Sequence, residues 1–380
     1  MAAILSLVLA ALATLSILLL LWQWIAARSF PLHQQPAALS HPPPVSLLKP
    51  LKGAGDSLEE CLRSWLEQDY SGPVQVLLGV ESPDDPAVPV VEKLRRDFPK
   101  RTLELVVCHD LRGPNFKISK LVQLEPLATS EILVVSDADV RVPPTLLNGL
   151  VAGLGNSQVG LVSCFYRLAN PSTFAMQWEA VAINADFWSQ VLQSRTLQPV
   201  AFALGAVMAL RRGELPGVGG FASLENCLAD DYQLGNRLAK RGRAIEFSPL
   251  VVECCSESMT WTLAWQHQLR WARTIRVCQP TPYFLSILSN PTLWPLAWAI
   301  SAPAPVTLAL LAAAVITRGV VVIDLERRLT GSLPSLNRLW LAPLKDLLQL
   351  GVWLGAFLGN QIEWRGIRMR LRRDGTLELR

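Results

Sequence analysis

One stretch, residues 131–142 (EILVVSDADVRV), constrains the fold more than any other part of the chain. Residues 132–135 are apolar and mostly β-branched, which predicts a strand buried on both faces of a parallel sheet. Asp137 and Asp139 follow at once, so both carboxylates are expected at the carboxyl edge of the sheet, where open α/β sheets bind ligands. Two carboxylates there can hold Mg²⁺ or Mn²⁺ while water and substrate phosphates complete the coordination. The alternative is an Asp-rich turn that merely ends the strand.

The chain before this stretch alternates between strand and helix patterns. The predicted elements are strands at residues 45–49, 74–80 and 103–107 and amphipathic helices at residues 57–68 and 88–98. Such alternation predicts an α/β fold with a doubly wound, mostly parallel sheet. The second strand also ends in acids, because Glu81 and Asp85 lie in the loop that follows it. These side chains are expected beside Asp137.

Further elements are predicted beyond Arg141. They are helices at residues 144–154, 172–191 and 229–241 and strands at residues 160–165, 202–210, 245–247 and 250–254. The second of these helices carries the large side chains Phe174, Met176, Trp178 and Trp188. At helical spacing these either pack in the core or line an apolar groove for an acceptor.

Charged side chains at two predicted helix starts are candidate site residues. Lys117 lies near the amino end of a helix that begins at about Asn115, where a point charge and free backbone N–H groups can bind a phosphate. The alternative is a solvated lysine on a helix face. Asp230 and Asp231 begin another helix. Acids there favour the helix dipole, but two adjacent aspartates cannot both point at the same backbone donors, so one is free for chemistry.

Residues 261–276 (WTLAWQHQLRWARTIR) form a basic amphipathic helix pattern. It carries His267, Arg270, Trp271, Arg273 and Arg276. Tryptophan interleaved with arginine is typical of a membrane interface. A run of guanidinium groups also suits bidentate binding of a diphosphate.

The composition indicates membrane segments, because 51% of residues are hydrophobic, 17% are charged and the mean hydropathy is +0.29. Residues 2–27 contain no charged side chain and exceed the roughly 20 residues that a spanning helix needs, so they predict an anchor rather than a cleaved signal peptide. Trp22, Trp24 and Arg28 at its end place the following residues in the cytosol. Residues 306–323 predict another span and residues 344–362 a weaker one. The arginine-rich tail predicts a cytosolic end, and hence an even number of spans after the catalytic domain.

Composition also narrows the classes of partner. The net charge of +4 gives no indication of nucleic-acid binding. The seven cysteines are odd in number and lack a CxxC pair, so they are predicted as reduced thiols. No feature indicates an oligomeric state. The expected organisation is a transmembrane anchor (residues 1–28), a Pro-rich linker (29–44), a catalytic domain (45–278) and an interfacial and transmembrane region with a basic tail (279–380).

Six short motifs occur in an order and spacing typical of one family. They are VSLLKPLKG at 45–53, DDPA at 84–87, NFK at 115–117, DADVR at 137–141, ADDY at 229–232 and HQLRW at 267–271. On these motifs the chain resembles ceramide glucosyltransferases and their bacterial lipid-glycosylating relatives, a family of membrane-bound inverting glycosyltransferases. The resemblance covers nearly the whole chain. It implies a GT-A fold with an N-terminal transmembrane helix and C-terminal interfacial and transmembrane helices.

The resemblance also implies roles for individual residues. It assigns Asp85 to the nucleotide, Asp137 and Asp139 to the metal-bound diphosphate and Asp231 to the general base, and it matches Arg270 and Trp271 to the RW of a closing QxxRW or RxxRW motif. His267 departs from that motif, which leaves open whether the position carries a permanent charge. The full set of expected site residues is Asp231, Arg270 and Trp271 for catalysis, Glu81, Asp85, Lys117, Asp137, His267 and Arg270 for the nucleotide sugar, and Asp137 and Asp139 for Mn²⁺ or Mg²⁺.

The expected function is transfer of a hexose from a nucleotide sugar to a hydroxyl of a membrane lipid, by single displacement with inversion. UDP-glucose is the first-choice donor and ceramide the first-choice acceptor. Alternatives are another lipid, such as a hopanoid, diacylglycerol or polyprenyl phosphate, and a non-catalytic membrane scaffold. A processive polysaccharide synthase is disfavoured by the few predicted spans. The catalytic domain is expected on the cytosolic face of a bacterial inner membrane, or of a Golgi-type membrane in a eukaryote.

Overall fold

The computed structural model of the chain describes residues 1–36, 39–333, 336–364 and 367–379. The chain divides into two compact units. The sheet unit consists of Pro31–Asn170, Gln198–Glu257 and Gly375–Arg380, and the helical unit consists of Met1–Phe30, Pro171–Leu197 and Ser258–Asp374. The predicted four-part division of the chain stays a prediction.

The strands and helices are numbered separately along the chain. The strands are β1 Val45–Pro50, β2 Val74–Val80, β3 Thr102–Val107, β4 Ile132–Ser136, β5 Val140–Arg141, β6 Val159–Leu168, β7 Val207–Arg211, β8 Ala244–Cys254, β9 Gln361–Trp364, β10 Ile367–Leu371 and β11 Leu377–Leu379. The helices are α1 Ala2–Arg28, α2 Leu58–Leu66, α3 Ala87–Asp97, α4 Phe116–Leu124, α5 Leu146–Gly153, α6 Phe174–Val181, α7 Trp188–Arg195, α8 Leu215–Val218, α9 Asp230–Lys240, α10 Trp261–Cys278, α11 Pro280–Leu285, α12 Leu293–Ser301, α13 Pro305–Thr330 and α14 Leu341–Phe357.

The sheet unit is built on a mixed sheet with the strand order β3-β2-β1-β4-β7-β6-β8-β5. Strands β1, β2, β3 and β4 pair in parallel, as do β6 and β8. Strand β7 is antiparallel to both of its neighbours, and β5 is antiparallel to β8. The prediction of a mostly parallel, doubly wound sheet is therefore confirmed, with two antiparallel strands that the sequence pattern did not reveal.

Hydrophobic side chains cover both faces of this sheet. Leu47 packs in one core cluster with Trp65 and Val134, whereas Leu48 packs in the other with Leu133. Neighbouring strand residues point to opposite faces, so continuous apolar runs in β1 and β4 fill two cores rather than one. This burial fixes the register that carries Asp137 to the carboxyl edge of the sheet.

Several predicted elements differ from the structure. The two strands predicted at 245–247 and 250–254 are one strand, β8. The predicted strand at 202–210 begins only at Val207. The predicted helix at 172–191 is interrupted by a π-helical segment, Ala182–Phe187, between α6 and α7. The weaker predicted span at 344–362 is wrong at its end, because α14 stops at Phe357 and the chain then enters β9, which pairs antiparallel with β10.

Two helices of the described residues are long and apolar enough to cross a membrane: α1 and α13. Both belong to the helical unit. Near their carboxyl ends Asp324 of α13 accepts hydrogen bonds from Trp24 (2.7 Å) and Arg28 (3.2 Å) of α1. The two helices therefore end on the same side. The even number of C-terminal spans stays a prediction.

Arg318 is buried within α13, with only 2% of its surface exposed. Its guanidinium group donates to Asp186 (2.8 and 2.9 Å) in the π-helical segment and to Asp346 (3.0 and 2.8 Å) in α14. Lys345 also donates to Asp186, at 2.6 Å. Two cations and two carboxylates thus neutralise each other where the three segments meet.

Candidate active site

The two aspartates of the DADVR motif lie in the tight connection between β4 and β5. The backbone N–H of Asp137 donates to Ala206 O (3.3 Å), and the carbonyl of Asp139 accepts from the backbone N–H of Cys255 (2.9 Å). Asp137 is partly exposed and Asp139 is exposed. Backbone contacts therefore hold this loop from both sides and leave the carboxylates at the edge of the sheet.

Lys117 joins the start of α4 to this edge. Its Nζ lies 2.8 Å from Asp137 Oδ1 and 3.3 Å from Asp230 Oδ2, and its side chain is only 12% exposed. Burial by itself lowers the pKa of Lys117, but the carboxylates of Asp137, Asp230 and Asp231 outweigh that effect and hold the pKa above its ordinary value. Lys117 is therefore a buried cation that binds the acidic edge rather than a solvated lysine on a helix face.

Asn115 fixes both Lys117 and the start of α9. Its side chain caps α4 by accepting from the backbone N–H of Ile118 (3.2 Å), and its Nδ2 donates to Cys227 O (2.9 Å) and Asp230 Oδ1 (3.3 Å). Asn115 is fully buried. The buried Asp230 is thus held by an amide and an ammonium group, and it is not the N-cap of α9, which is Ala229.

Asp231 has different surroundings from Asp230. Its Oδ1 accepts the backbone N–H of Tyr232 (2.7 Å). Burial, followed by the like charge of Asp230, raises the pKa of Asp231 to about 6 against the opposing effect of Lys117. A carboxylate with a pKa near the working pH suits a general base.

Two glycines allow this arrangement. A Cβ at Gly205 would come within 2.9 Å of Asp231 Oδ2, and a Cβ at Gly235 would come within 2.4 Å of the backbone nitrogen of Ala203. Helix α9 therefore packs directly against residues 202–205, and this close approach explains why the strand begins only at Val207. The sequence analysis noted neither glycine, and the only signal available was the DxxxG spacing from Asp231 to Gly235.

The loops after β1 and β2 are tied together by Asp85. Its Oδ1 accepts from the backbone N–H groups of Gly53 and Ala87, both at 2.9 Å. Gly53 has a φ of +72°, which favours glycine at this turn. Glu81 is partly exposed at the carboxyl end of β2. Both predicted acids thus lie at the carboxyl ends of parallel strands, with Asp85 also shaping the loops.

Lys49 is a buried cation beneath the DADVR loop that the sequence reading did not single out. Its Nζ donates to Ser136 Oγ (3.1 Å) and to the backbone carbonyl of Asp137 (2.6 Å). Burial lowers the pKa of Lys49 to about 8, although Asp137 and Asp139 act in the opposite direction. The signal available in the sequence was a lysine inside an apolar strand.

The remaining predicted residues, His267, Arg270 and Trp271, lie on α10 of the helical unit. The rings of His267 and Trp271 are 4.8 Å apart, and Phe187 lies 5.9 Å from Trp271. Arg270 is partly exposed. At spacings of three and four residues, Arg270 and Trp271 project from the same side of the helix as His267.

Two other arginines of this helix have structural partners. Arg273 donates to the carbonyls of Gln361 and Gly355, and Arg276 donates to the side chain of Asn360. They bind the last turn of α14 and the residues that follow it. These contacts account for Arg273 and Arg276, and Arg270 stays the residue of this helix that is predicted to bind the diphosphate.

The large side chains of α6 and α7 were predicted either to pack in the core or to line an apolar groove for an acceptor. Met176, Trp178 and Trp188 are fully buried, whereas Phe174 is 40% exposed. Trp178 stacks in a cluster with Trp261 and Trp265 of α10. Most of these residues are therefore core, and only Phe174 is available to an apolar ligand.

The acidic edge fits a divalent cation that also binds a phosphate-bearing ligand. Within the described parts of the chain, no three His, Cys, Asp or Glu side chains converge on a ready-made metal site. Asp137 and Asp139 supply only carboxylate oxygens, which Mg²⁺ and Mn²⁺ accept together with water and phosphate. A cation here would therefore depend on its ligand to complete the coordination.

The fold and this edge together define a GT-A type glycosyltransferase fold. A solved structure of similar fold is the mannosyltransferase PcManGT from Pyrobaculum calidifontis, in complex with GDP-Man and Mn²⁺. The likeness covers 94% of this chain and 98% of that one, with a TM-score of 0.54 and 21% sequence identity.

The chain belongs to glycosyl transferase family 21, whose family model matches residues 5–377. It is 25% identical over 232 residues to ceramide glucosyltransferase 3 of Caenorhabditis elegans, covering 60% of this chain and 50% of that protein. It is 27% identical over 248 residues to beta-monoglucosyldiacylglycerol synthase of Trichormus variabilis, covering 64% of this chain and 51% of that protein. The matches thus span about half the length of these curated relatives. They confirm the resemblance that the six motifs predicted.

Proposed function

We propose that the chain is an inverting hexosyltransferase that moves a hexose from a UDP-sugar, with glucose as the first choice, to a hydroxyl of a membrane lipid. The observation that supports this most strongly is the cluster of Asp137, Asp230 and Asp231 around Lys117 at one edge of the sheet. This cluster brings together groups that can bind a metal-bound diphosphate and a carboxylate that can act as the general base. Membership of family 21 supports the reaction class.

On the donor side, Asp137 and Asp139 would hold a Mn²⁺ or Mg²⁺ ion, which neutralises charge that develops on the leaving diphosphate. Lys117 offers a fixed positive charge at the same edge, and its two carboxylate partners keep it oriented. Asp85 and Glu81 lie at the ends of neighbouring strand loops, where they can bind the nucleotide. Arg270 and Trp271 of helix α10 are also proposed for donor binding and catalysis, on the ground of the family's closing RW motif alone.

On the acceptor side, Asp231 takes the proton of the attacking hydroxyl. The carboxylate is the only base assigned, and no second carboxylate is assigned as a nucleophile. Direct attack by the hydroxyl on the sugar carbon is then the simplest reaction, and it inverts the configuration at that carbon.

A membrane lipid is the proposed acceptor because of the helical unit. Helices α1 and α13 are both long and apolar enough to cross a bilayer, which supports an acceptor that is itself a membrane component. Ceramide is the first choice and diacylglycerol the second, since the relatives named above include a ceramide glucosyltransferase and a glucosyldiacylglycerol synthase. A cytosolic catalytic domain, on a bacterial inner membrane or a Golgi-type membrane, is proposed because Arg28 ends α1 and positive charge favours the cytosolic side.

The test is incubation of the purified full chain with radiolabelled UDP-sugars and a panel of ceramide, diacylglycerol, hopanoid and polyprenyl phosphate in mixed micelles. Labelled glucosylceramide formed only with Mn²⁺ or Mg²⁺ is the expected result, and EDTA should abolish it. If a different lipid is labelled, that lipid is the acceptor instead of ceramide. Binding of UDP-sugar with no labelled lipid under any condition would favour a non-catalytic scaffold.

A further inference from the structure

A segment late in the chain pairs with the loop that leads into the ADDY motif, and both belong to the sheet unit. Thr376 forms an antiparallel bridge with Cys227. Two backbone hydrogen bonds flank this bridge, from the N–H of Leu377 to Asn226 O (2.7 Å) and from the N–H of Leu228 to Gly375 O (3.3 Å). Residues 375–377, the pairing segment, therefore hold the main chain immediately before α9.

The pairing segment also contacts α9 itself. Gly375 has a φ of +86°, and a Cβ at this position would come within 3.2 Å of Gln233 Nε2, near the start of α9. Leu377 is buried, so its side chain stabilises the pairing by leaving water. The segment is therefore packed against both the loop and the helix that carries Asp231.

The paired loop is also held by a residue of the active site. Cys227 O accepts a hydrogen bond from Asn115 Nδ2 (2.9 Å), and the same amide donates to Asp230 Oδ1 (3.3 Å). Both Cys227 and Asn115 are buried. Loops between elements are normally the more mobile parts of a domain, but this loop is fixed by Asn115 and by the pairing segment. The start of α9 therefore depends on residues that lie far later in the chain.

We propose that the pairing segment positions the general base: by holding residues 226–228 it fixes the start of α9 and, with it, the carboxylate of Asp231. The donor groups depend less on this pairing, because Asp85 and Asp137 lie in the loops after β2 and β4 and Lys117 lies on α4. Loss of the pairing therefore lowers kcat while donor binding is retained. The inference rests on the proposed function, which takes Asp231 as the base.

Two buried leucines of the sheet unit provide a matched pair of variants. Leu377→Ala loosens the pairing segment. Leu154→Ala removes a side chain of the same size at the opposite edge of the sheet, since Leu154 O accepts from Arg211, which pairs with Ile132 at the start of β4. Both variants should melt at a lower temperature than wild type, because each leaves a cavity in the core.

Only Leu377→Ala should change the rate of transfer. We expect its kcat with UDP-glucose to fall about tenfold, since a displacement of about 1 Å can cost up to about 10²-fold. Its KM for UDP-glucose and its calorimetric Kd for UDP should stay within about threefold of wild type, as expected when an interaction made only in the transition state is weakened. Leu154→Ala, assayed at the same temperature well below both melting points, should keep the kcat of wild type.

A disulfide restores the pairing by a different route. The flanking hydrogen bonds make Thr376 and Cys227 a non-hydrogen-bonded pair, whose Cα atoms lie about 4.5 Å apart in antiparallel strands, and this separation suits a disulfide. In the double variant Leu377→Ala/Thr376→Cys, diamide takes up the two thiol hydrogens as the S–S bond to Cys227 forms. We expect this cross-link, verified by mass spectrometry, to return kcat to within about threefold of wild type, and dithiothreitol to reverse the gain. Leu377→Ala treated with the same oxidant controls for the other cysteines and should stay slow.

Three results would overturn the inference: an unchanged kcat in Leu377→Ala, an equal loss of kcat in Leu154→Ala, or no recovery of kcat in the cross-linked protein. The proposed function fails in a different way. If Asp231→Asn is as active as wild type, Asp231 is not the base. If Asp231→Asn is inactive while Leu377→Ala equals wild type, the base assignment stands and only the role of the pairing segment is contradicted.

Discussion

Two adjacent aspartates at the start of α9 have different surroundings, and this difference determines their proposed roles. Asp230 is buried and is held by Asn115 and Lys117. Asp231 is partly exposed and lies against Gly205, where only the absence of a side chain leaves room for its carboxylate. Asp230 is therefore an internal partner of Lys117, whereas Asp231 is available to the hydroxyl of an acceptor.

We therefore expect Asp231→Asn to bind UDP-sugar normally and to lose at least about 10²-fold in transfer rate, because Asn cannot accept the proton. Asp230→Asn should keep its hydrogen bond to Asn115 and stay within about tenfold of wild type. Isothermal titration with UDP and single-turnover transfer measure the two quantities. If the two variants exchange these behaviours, Asp230 is the base. If both stay active, the base is neither of them.

The pH dependence of transfer should report the same carboxylate. Because burial and Asp230 raise the pKa of Asp231 to about 6, the base is deprotonated and active above that pH and becomes protonated below it. The rate should therefore fall as pH falls through about 6, approaching tenfold per pH unit. Asp230→Asn removes the neighbouring like charge and should move this limb of the profile to lower pH. A rate that is flat from pH 5 to pH 8 would exclude Asp231 as the titrating base.

At the scale of elements, the sequence predicted the first half of the sheet unit closely. Strand β2 has the predicted bounds, and β1, β3 and β4 differ by one residue at one end. Strands β1, β2 and β4 are almost entirely buried, so their mainly apolar runs are bounded by polar loops. The edge strand β3 is more exposed, at Thr102 and Glu104. The acids at the ends of β2 and β4 were predicted for the same reason, since the ends of parallel strands share one edge.

The elements that differ depend on contacts with distant residues. The π-helical segment between α6 and α7 contains Asp186, whose partner Arg318 lies 132 positions later. Residues 202–206 leave the sheet where Gly235 of α9 packs against them. Lys49 is a similar case, because a charged residue in an apolar pattern shows that a partner exists but does not identify it. Local periodicity carries no information about such partners.

The charge cluster around Arg318 should be essential for the helical unit. Arg318→Leu would leave Asp186 and Asp346 buried with less compensation, and breaking a buried pair in this way costs about 3–5 kcal/mol. We expect a large fall in the melting temperature of the detergent-solubilised protein. Arg327→Leu, at an exposed position of the same helix, is the control and should change it little. Equal melting temperatures for the two variants would show that the cluster does not support the fold.

At the scale of the molecule, the contacts of Asp324 with Trp24 and Arg28 bear on topology. Because α1 and α13 end on the same side, a bilayer crossed by both helices would have the linker after α1 and the chain after α13 at one face. A cysteine introduced at Pro43 and another at Arg373 should both be labelled only from the cytosolic side in sealed vesicles, in a background lacking reactive native thiols. Labelling of the two positions from opposite faces would contradict the shared orientation.

The central claim is that this chain transfers a hexose to a lipid by a single displacement. The most direct test is the anomeric configuration of the isolated glycolipid, measured by proton NMR through the coupling constant of the anomeric proton. With α-linked UDP-glucose as donor, direct attack by a lipid hydroxyl activated by Asp231 predicts a β-glucoside. An α-glucoside would show retention of configuration and would contradict both the assignment of Asp231 and the mechanism.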